Sequence, residues 1–250
     1  MATASATASA TTETTGCPHD TDDDPSECDV WEQNCCPGEK CIPSYLSNGE
    51  GPWTIARCFP IGRTPDKIGD PCTFTTNGDI ELDSCESGSM CWNLDPQTGM
   101  GRCIALCKGT ISQCGKAPQN CCPDHFACII PASRVLSLCF EYCDPLTQDC
   151  LDESDQCYYV GAAFFCQPDV SGDMGAIGDP CDLQEDCDPG TYCGSPLAHP
   201  KCDPNANGCC IPFCSLEMPN CLMGLECVPW NEPLWPSSEI YSNLGLCMAP

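Results

Sequence analysis

Thirty of the 250 residues are cysteine, and their spacing repeats six times along the chain. Each copy has the same form: a first cysteine (a), a variable gap, a second (b), five or six residues, a third (c), an apolar stretch, a turn, another apolar stretch and a fourth (d). The second copy is the clearest, with Cys72, Cys85, Cys91 and Cys103. The third runs through Cys107, Cys122, Cys128 and Cys139, and the fourth through Cys143, Cys150, Cys157 and Cys166. The fifth has Cys181, Cys187, Cys193 and Cys210, and the sixth Cys214, Cys221, Cys227 and Cys247. The first has Cys28, either Cys35 or Cys36, Cys41 and Cys58. Self-similarity of this regularity marks a tandem repeat.

Six further cysteines fall two to each of the first, third and fifth copies. Cys17 goes with one of Cys35 and Cys36, Cys114 with one of Cys121 and Cys122, and Cys202 with one of Cys209 and Cys210. These copies read as three-bridge versions and the others as two-bridge versions. The total is even, so every thiol can pair. Thiols at this density demand an oxidising compartment: outside the cell, at its surface or in a periplasm. Zinc is the competing use of cysteine clusters, but no Cys-x2-Cys knuckle occurs and only three histidines are available.

What lies between c and d sets the secondary structure. Tyr158-Tyr159-Val160 and Ala163-Phe164-Phe165 flank Gly161-Ala162, two β-prone runs around a glycine-containing turn. Ile129-Ile130 and Val135 to Leu138 flank Pro131 to Arg134 in the same way. Turn signals also stand at Asn48-Gly49 and from Asp95 to Gly99. Helical periodicity is nowhere sustained. The expected fold is small, disulfide-rich and mainly β and loop: six stapled β-hairpin units in an elongated rod. A unit of about 40 residues cannot fold on its core alone, but each bridge contributes roughly 2–4 kcal/mol. Aromatic residues close after c, such as Trp92, Tyr158 and Trp230, are expected to pack over the bridges. Because a short c-to-d hairpin brings both of its ends beside the a-to-b loop, we expect a to pair with c and b with d. Four cysteines nevertheless allow three pairings.

The phrase Ile68-Gly69-Asp70-Pro71-Cys72 returns as Ile177-Gly178-Asp179-Pro180-Cys181, while Cys-x3-Cys joins copies tightly at Cys103/Cys107, Cys139/Cys143 and Cys210/Cys214. The expected organisation is a flexible Ala/Ser/Thr tether over 1–16, unit one over 17–66, units two to four over 67–168, and units five and six over 169–250. Hinges are expected at Phe59–Gly69 and Gln167–Gly178. Met1 to Thr15 lacks the basic start and apolar core of a signal peptide, so an export signal is expected to have been removed, and a lipid anchor through that signal is compatible with the tether. No run of 18 apolar residues exists to cross a membrane as a helix.

Nine basic against 36 acidic side chains give a formal charge of −27. Such a chain repels nucleic acid and anionic lipid surfaces; its partner is expected to be a protein, a surface or another copy of itself. His19, His125 and His199 read as surface residues rather than bases, and no nucleophile elbow, phosphate-cradling loop or zinc-protease motif is found. No catalytic residue and no organic cofactor is expected. The one metal candidate is calcium. Asp203-Pro204-Asn205-Ala206-Asn207-Gly208 matches the opening of a calcium loop, with Asp203, Asn205 and Asn207 as oxygen ligands, though loop position twelve is Cys214 instead of Glu. An ordinary tight turn explains the same residues. The acidic sets Asp20/Asp22/Asp23/Asp24 and Asp149/Asp152/Glu153/Asp155 read as solvated, with calcium as the lesser alternative.

Several phrases together resemble a group of uncharacterised, exported, cysteine-rich proteins and lipoproteins of myxobacteria. They are Trp31-Glu32-Gln33-Asn34 before the Cys35-Cys36 doublet, both Ile-Gly-Asp-Pro-Cys starts, Gly88 to Trp92, Cys143 to Cys150, and Cys227-Val228-Pro229-Trp230. The resemblance runs from about Cys28 to the C-terminus and implies no activity. Some members carry the label of a ribulose-phosphate epimerase, a (β/α)8 barrel with a His/Asp metal site; this chain has neither the βα alternation nor the residues. The expectation is therefore a non-enzymatic extracellular or cell-surface structural, adhesive or binding protein. A secreted protease inhibitor, suggested by Cys35-Cys36-Pro37 to Cys41, and a calcium-binding surface protein are the alternatives.

Overall fold

The computed structural model describes residues 28–44, 55–77, 80–95, 97–130, 135–161, 163–222, 224–231 and 241–250. The tether, Cys17, His19, the Asp20–Asp24 set, the Asn48-Gly49 turn and the Pro131–Arg134 turn lie outside them. The described chain is strands and loops, with one four-residue helix, α1 (Ile111–Cys114), and two short 3-10 turns at Pro118–Cys121 and Gln184–Asp186.

Each repeat is built on the hairpin between c and d. These are β1 (Glu39–Ser44) with β2 (Ile55–Pro60), β5 (Ser89–Trp92) with β6 (Met100–Ala105), and β7 (Phe126–Ile129) with β8 (Leu138–Glu141). They continue with β9 (Asp155–Val160) and β10 (Ala163–Pro168), β12 (Thr191–Gly194) and β13 (Gly208–Ser215), and β14 (Glu226–Pro229) and β15 (Leu244–Met248). Register places c directly opposite d: Cys41 faces Cys58, Cys91 faces Cys103, Cys157 faces Cys166, Cys193 faces Cys210 and Cys227 faces Cys247. Opposed residues share one face of a hairpin. Both sulfurs therefore meet the a-to-b loop, which is stapled across that face.

The bridges follow the a–c, b–d expectation in all six copies. They are Cys28–Cys41 and Cys35–Cys58, Cys72–Cys91 and Cys85–Cys103, and Cys107–Cys128 and Cys122–Cys139. Then come Cys143–Cys157 and Cys150–Cys166, Cys181–Cys193 and Cys187–Cys210, and Cys214–Cys227 and Cys221–Cys247. The doublets resolve as well. Cys121 closes onto Cys114 and Cys209 onto Cys202, leaving Cys122 and Cys210 for the repeat pattern. Cys36 is also bridged, which leaves Cys35 for Cys58. Adjacent strand residues point to opposite faces, so the two cysteines of the Cys209-Cys210 doublet serve different bridges.

Half-cystines form much of the interior. In the second repeat the buried cluster is Cys72, Cys85, Cys91 and Cys103 with Phe74 against it, and in the fifth it is Cys181, Cys187 and Cys210 with Cys193. Sulfur replaces the aliphatic core that so short a unit cannot assemble.

The Ile-Gly-Asp-Pro-Cys phrase encodes a clasp. In the second repeat Gly69 N–H donates to Cys103 O, and Cys103 N–H donates to Asp70 O. In the fifth, Gly178 N–H donates to Cys210 O, and Cys210 N–H to Asp179 O. Both glycines have φ near +90 to +100°, open to glycine at little cost. The clasp seats β3 (Pro71–Asn77) on β6 and β11 (Pro180–Cys181) on β13. With β4 (Ile80–Asp83) on β3, the second repeat has a four-stranded sheet, β4-β3-β6-β5. The Cys210/Cys214 joint is a continuous strand: β13 pairs with β11 and β12 at one end and with β15 at the other, uniting repeats five and six in one five-stranded sheet.

The chain divides into two compact units: residues up to Pro123 with Cys128–Cys139, and Asp124–Ala127 with Phe140–Pro250. Each segment expected to hinge lies inside one unit, where side chains bind the flanking repeats together. In the first unit, Lys40 of repeat one is wholly buried and reaches Asp83 Oδ1 at 2.7 Å, Cys85 O at 2.6 Å and Ser89 O at 3.2 Å in repeat two. Asp83 in turn accepts the Cys85 and Cys91 N–H groups. In the second unit, Phe164, Phe213, Tyr241 and Leu244 bury together with Cys143, Cys157 and Cys166, flanked by Tyr159, Tyr192 and Trp230. Rings from repeats four, five and six meet edge-to-face at 5.0–5.5 Å, and the Tyr241 hydroxyl donates to Cys143 O. Repeat six thus packs directly on repeat four. Gln156, also buried, donates from repeat four to Cys187 O in repeat five at 3.1 Å.

Candidate functional site

The Asp203–Gly208 segment is closed at its base by Cys202–Cys209. Asp203 Oδ1 accepts from the Asn205 backbone N–H at 2.9 Å and from Asn205 Nδ2 at 3.1 Å, which sets the turn. Asn207 Nδ2 instead donates to Asp182 Oδ1 at 2.8 Å. The three sequence candidates therefore divide: Asp203 and Asn205 bond each other, while Asn207 turns toward the strand that starts the repeat. Pairing of Cys181 with Gly208 brings these segments together. Gly208 is required there, because a Cβ would stand 2.7 Å from both Cys181 O and Cys193 Sγ.

The result is a cleft of about 330 Å³ lined by Pro180, Cys181, Asp182, Asp186, Asn205, Ala206 and Asn207. It offers carboxylate and carboxamide oxygens, the donor chemistry of a hard cation or an ammonium or guanidinium group. Asp182 and Asp186 carry no motif signal in the sequence; they reach the cleft only through the β11–β13 register. Asp186 Oδ2 accepts the Asp182 and Leu183 N–H groups at 2.8 Å each, and the Leu183 contact first, then that of Asp182, holds its carboxyl below the usual carboxylate range.

The histidines differ. His125 is exposed, as expected, with its ring 6.4 Å from that of Tyr142. His199 is not a surface residue: it is 2% exposed, because the proline-flanked loop folds inward and the C-terminal segment covers it through Ala249 N–H to Ala198 O. Its Nδ1 accepts the Lys201 N–H at 3.3 Å, and among the described residues nothing bonds Nε2. Burial, then the Lys201 charge, pulls its pKa below the usual imidazole value.

Around Asp149 and Asp155 the acids crowd. Glu141 Oε1 accepts the Leu151 N–H at 2.9 Å, and its pKa is raised by burial and by the charges of Asp155 and Asp149. Asp149 Oδ1 accepts the Asp144 N–H and Asp152 Oδ1 accepts the Ser154 N–H and hydroxyl, so these carboxylates shape their own loops. Cysteine sulfurs such as those of Cys72, Cys85 and Cys91 cluster within metal-ligand distance, but all are held in bridges.

Charge is unequally shared. From Phe140 to Pro250 the sequence has eighteen Asp and Glu and a single base, Lys201. In comparisons with protein-family models, curated proteins and solved structures, nothing matches this chain.

Proposed function

We propose that this is a non-enzymatic extracellular or cell-surface protein, structural or adhesive in role, that uses disulfide-stapled repeats to present fixed loops to a partner. The observation that carries the reading is that no cysteine is free among the described residues, so every described repeat is a cross-linked scaffold suited to an oxidising environment. Loops pinned at both ends by bridges lose little entropy on contact, which favours recognition. The resemblance to exported cysteine-rich proteins supports the same reading. The test is affinity capture of the oxidised protein from the extracellular fluid and envelope of its native source, with electron microscopy of what is recovered. A specific partner or an ordered assembly is expected; a chain recovered alone and monomeric from every fraction overturns the reading.

A second reading, calcium binding at the Asp203–Asn207 turn, is favoured by the convergence of Asp182 and Asp186 on the same cleft. A site with Kd of about 1 mM contributes about 1.4 kcal/mol at 10 mM calcium, a rise of roughly 3–6 °C in Tm. No shift beyond that from magnesium at equal ionic strength removes it.

A further inference from the structure

We infer that the segment from Asp169 to Asp188 is a docking surface for a basic partner segment, one that alternates Lys or Arg with apolar side chains. The inference rests on the binding-protein reading above and names where and what the protein binds.

The segment is hydrogen-bonded and bridged along its length. Asp169 Oδ1 accepts from Ser171 N–H, the Ser171 hydroxyl and buried Gln156. Asp179 Oδ2 accepts the Gly175 and Ala176 N–H groups, the Gly178 clasp ties the middle to Cys210, and Cys181–Cys193 and Cys187–Cys210 pin the end. Yet this ordered stretch leaves Val170 65%, Met174 58% and Leu183 57% exposed. The Asp188 N–H donates to Gly175 O and the Ser171 hydroxyl to Asp188 Oδ1 at 3.2 Å, so the stretch that carries Val170 and Met174 is bonded back to the turn that carries Leu183, and together they leave apolar surface in water beside the acids.

Charge identifies the occupant. Asp169 to Asp188 contains seven acids and no base, and the cleft lined by Asp182 and Asp186 adjoins Leu183. Lys201, the one base of this half, stands beside Gly178 at the margin. An anionic membrane or a nucleic acid is repelled, and a second copy carries the same −27 charge. A bare cation would neutralise the acids but leave Val170, Met174 and Leu183 in water. A basic segment with interspersed apolar residues satisfies both: its apolar side chains cover these three, and an ammonium or guanidinium enters the cleft, where charge-assisted hydrogen bonds to carboxylates are strong.

The test uses the full oxidised chain and a fluorescent 16-residue peptide alternating Lys-Arg and Leu pairs, read by anisotropy at 0.15 M salt. Three further arms locate the binding. One replaces every Leu of the peptide with Ser. The second uses the Val170→Ser/Met174→Ser/Leu183→Ser variant. The third uses Leu151→Ser/Leu197→Ser/Met218→Ser, whose parent residues are 73–78% exposed elsewhere in the same half. Binding that weakens at least tenfold in the first two arms and less than twofold in the third supports the surface. No binding, equal binding of the Ser peptide, or equal loss in both variants overturns it. Capture from the native source separates the two readings. If the Val170/Met174/Leu183 variant still recovers the wild-type partner, this surface is wrong and the binding role stands; if nothing is recovered with wild type, the binding role itself fails.

Discussion

Replacing Lys40 with Met should loosen the join between the first two repeats more than any exposed substitution nearby. The ammonium makes three hydrogen bonds in a space that excludes water, and Met fills nearly the same volume, so no cavity cost enters. What remains is Asp83, 2% exposed, together with the carbonyls of Cys85 and Ser89 without their donor. Removing one partner of a buried pair costs about 3–5 kcal/mol, even where the intact pair contributes little net stability against an apolar pair. Asp83 keeps the Cys85 and Cys91 N–H groups, which places Lys40→Met at the lower end, about 3–4 kcal/mol. At about 1.4 kcal/mol per factor of ten, the opening equilibrium rises roughly 100- to 1000-fold. Native-state hydrogen exchange at the Cys85 and Cys91 amides reads that change directly, because both donate to Asp83. Lys40→Met/Asp83→Asn, with no buried charge left, should recover at least about 1 kcal/mol relative to the sum of the single variants. Exchange that accelerates less than tenfold in Lys40→Met, or strict additivity in the cycle, would refute the claim that an ion pair joins these repeats.

Other consequences are as specific. Gly208→Ala forces a methyl to 2.7 Å from Cys181 O and Cys193 Sγ and should cost about 1–3 kcal/mol, seen as a lower Tm and slower oxidative refolding; unchanged refolding contradicts the close approach. Removing the Cys202–Cys209 bridge by double substitution to Ala frees a short loop worth about 2–3 kcal/mol of chain entropy, and denaturant melts that coincide with wild type would argue against it. His199 has a folded pKa below its unfolded value, so the unfolded state binds more protons between the two; stability is full above about pH 6.5 and falls as pH drops through that window to the folded pKa. His199→Phe should accordingly lose less Tm than wild type between pH 7.5 and 5.5, and equal losses remove His199 as a cause. Peptide mapping under non-reducing conditions should recover Cys72 linked to Cys91 and Cys85 to Cys103; a Cys72–Cys85 peptide breaks the whole scheme.

Cysteine spacing alone pointed to an oxidising compartment, to the repeat and its hairpins, and to a–c, b–d as the expected one of three pairings, because all of these are local: the repeat bridges span only 12–26 residues, and the tertiary structure then decided among the pairings. The Ile-Gly-Asp-Pro-Cys phrase is visible as punctuation, but its work as a two-bond clasp on the d cysteine shows only in the tertiary structure. The calcium-like turn was legible in Asp203, Asn205 and Asn207, whereas Asp182 and Asp186 joined it only through strand register. Contacts between repeats were not legible at all. Lys40 meets Asp83 across 43 residues and Tyr241 meets Cys143 across 98, and a lone lysine or tyrosine carries no periodic signal of its destination. Spacing can suggest a bridge because both partners are the same residue type at recurring places in every copy. Which repeat packs on which is decided by complementary volume and buried charge among residues that only the tertiary structure brings together.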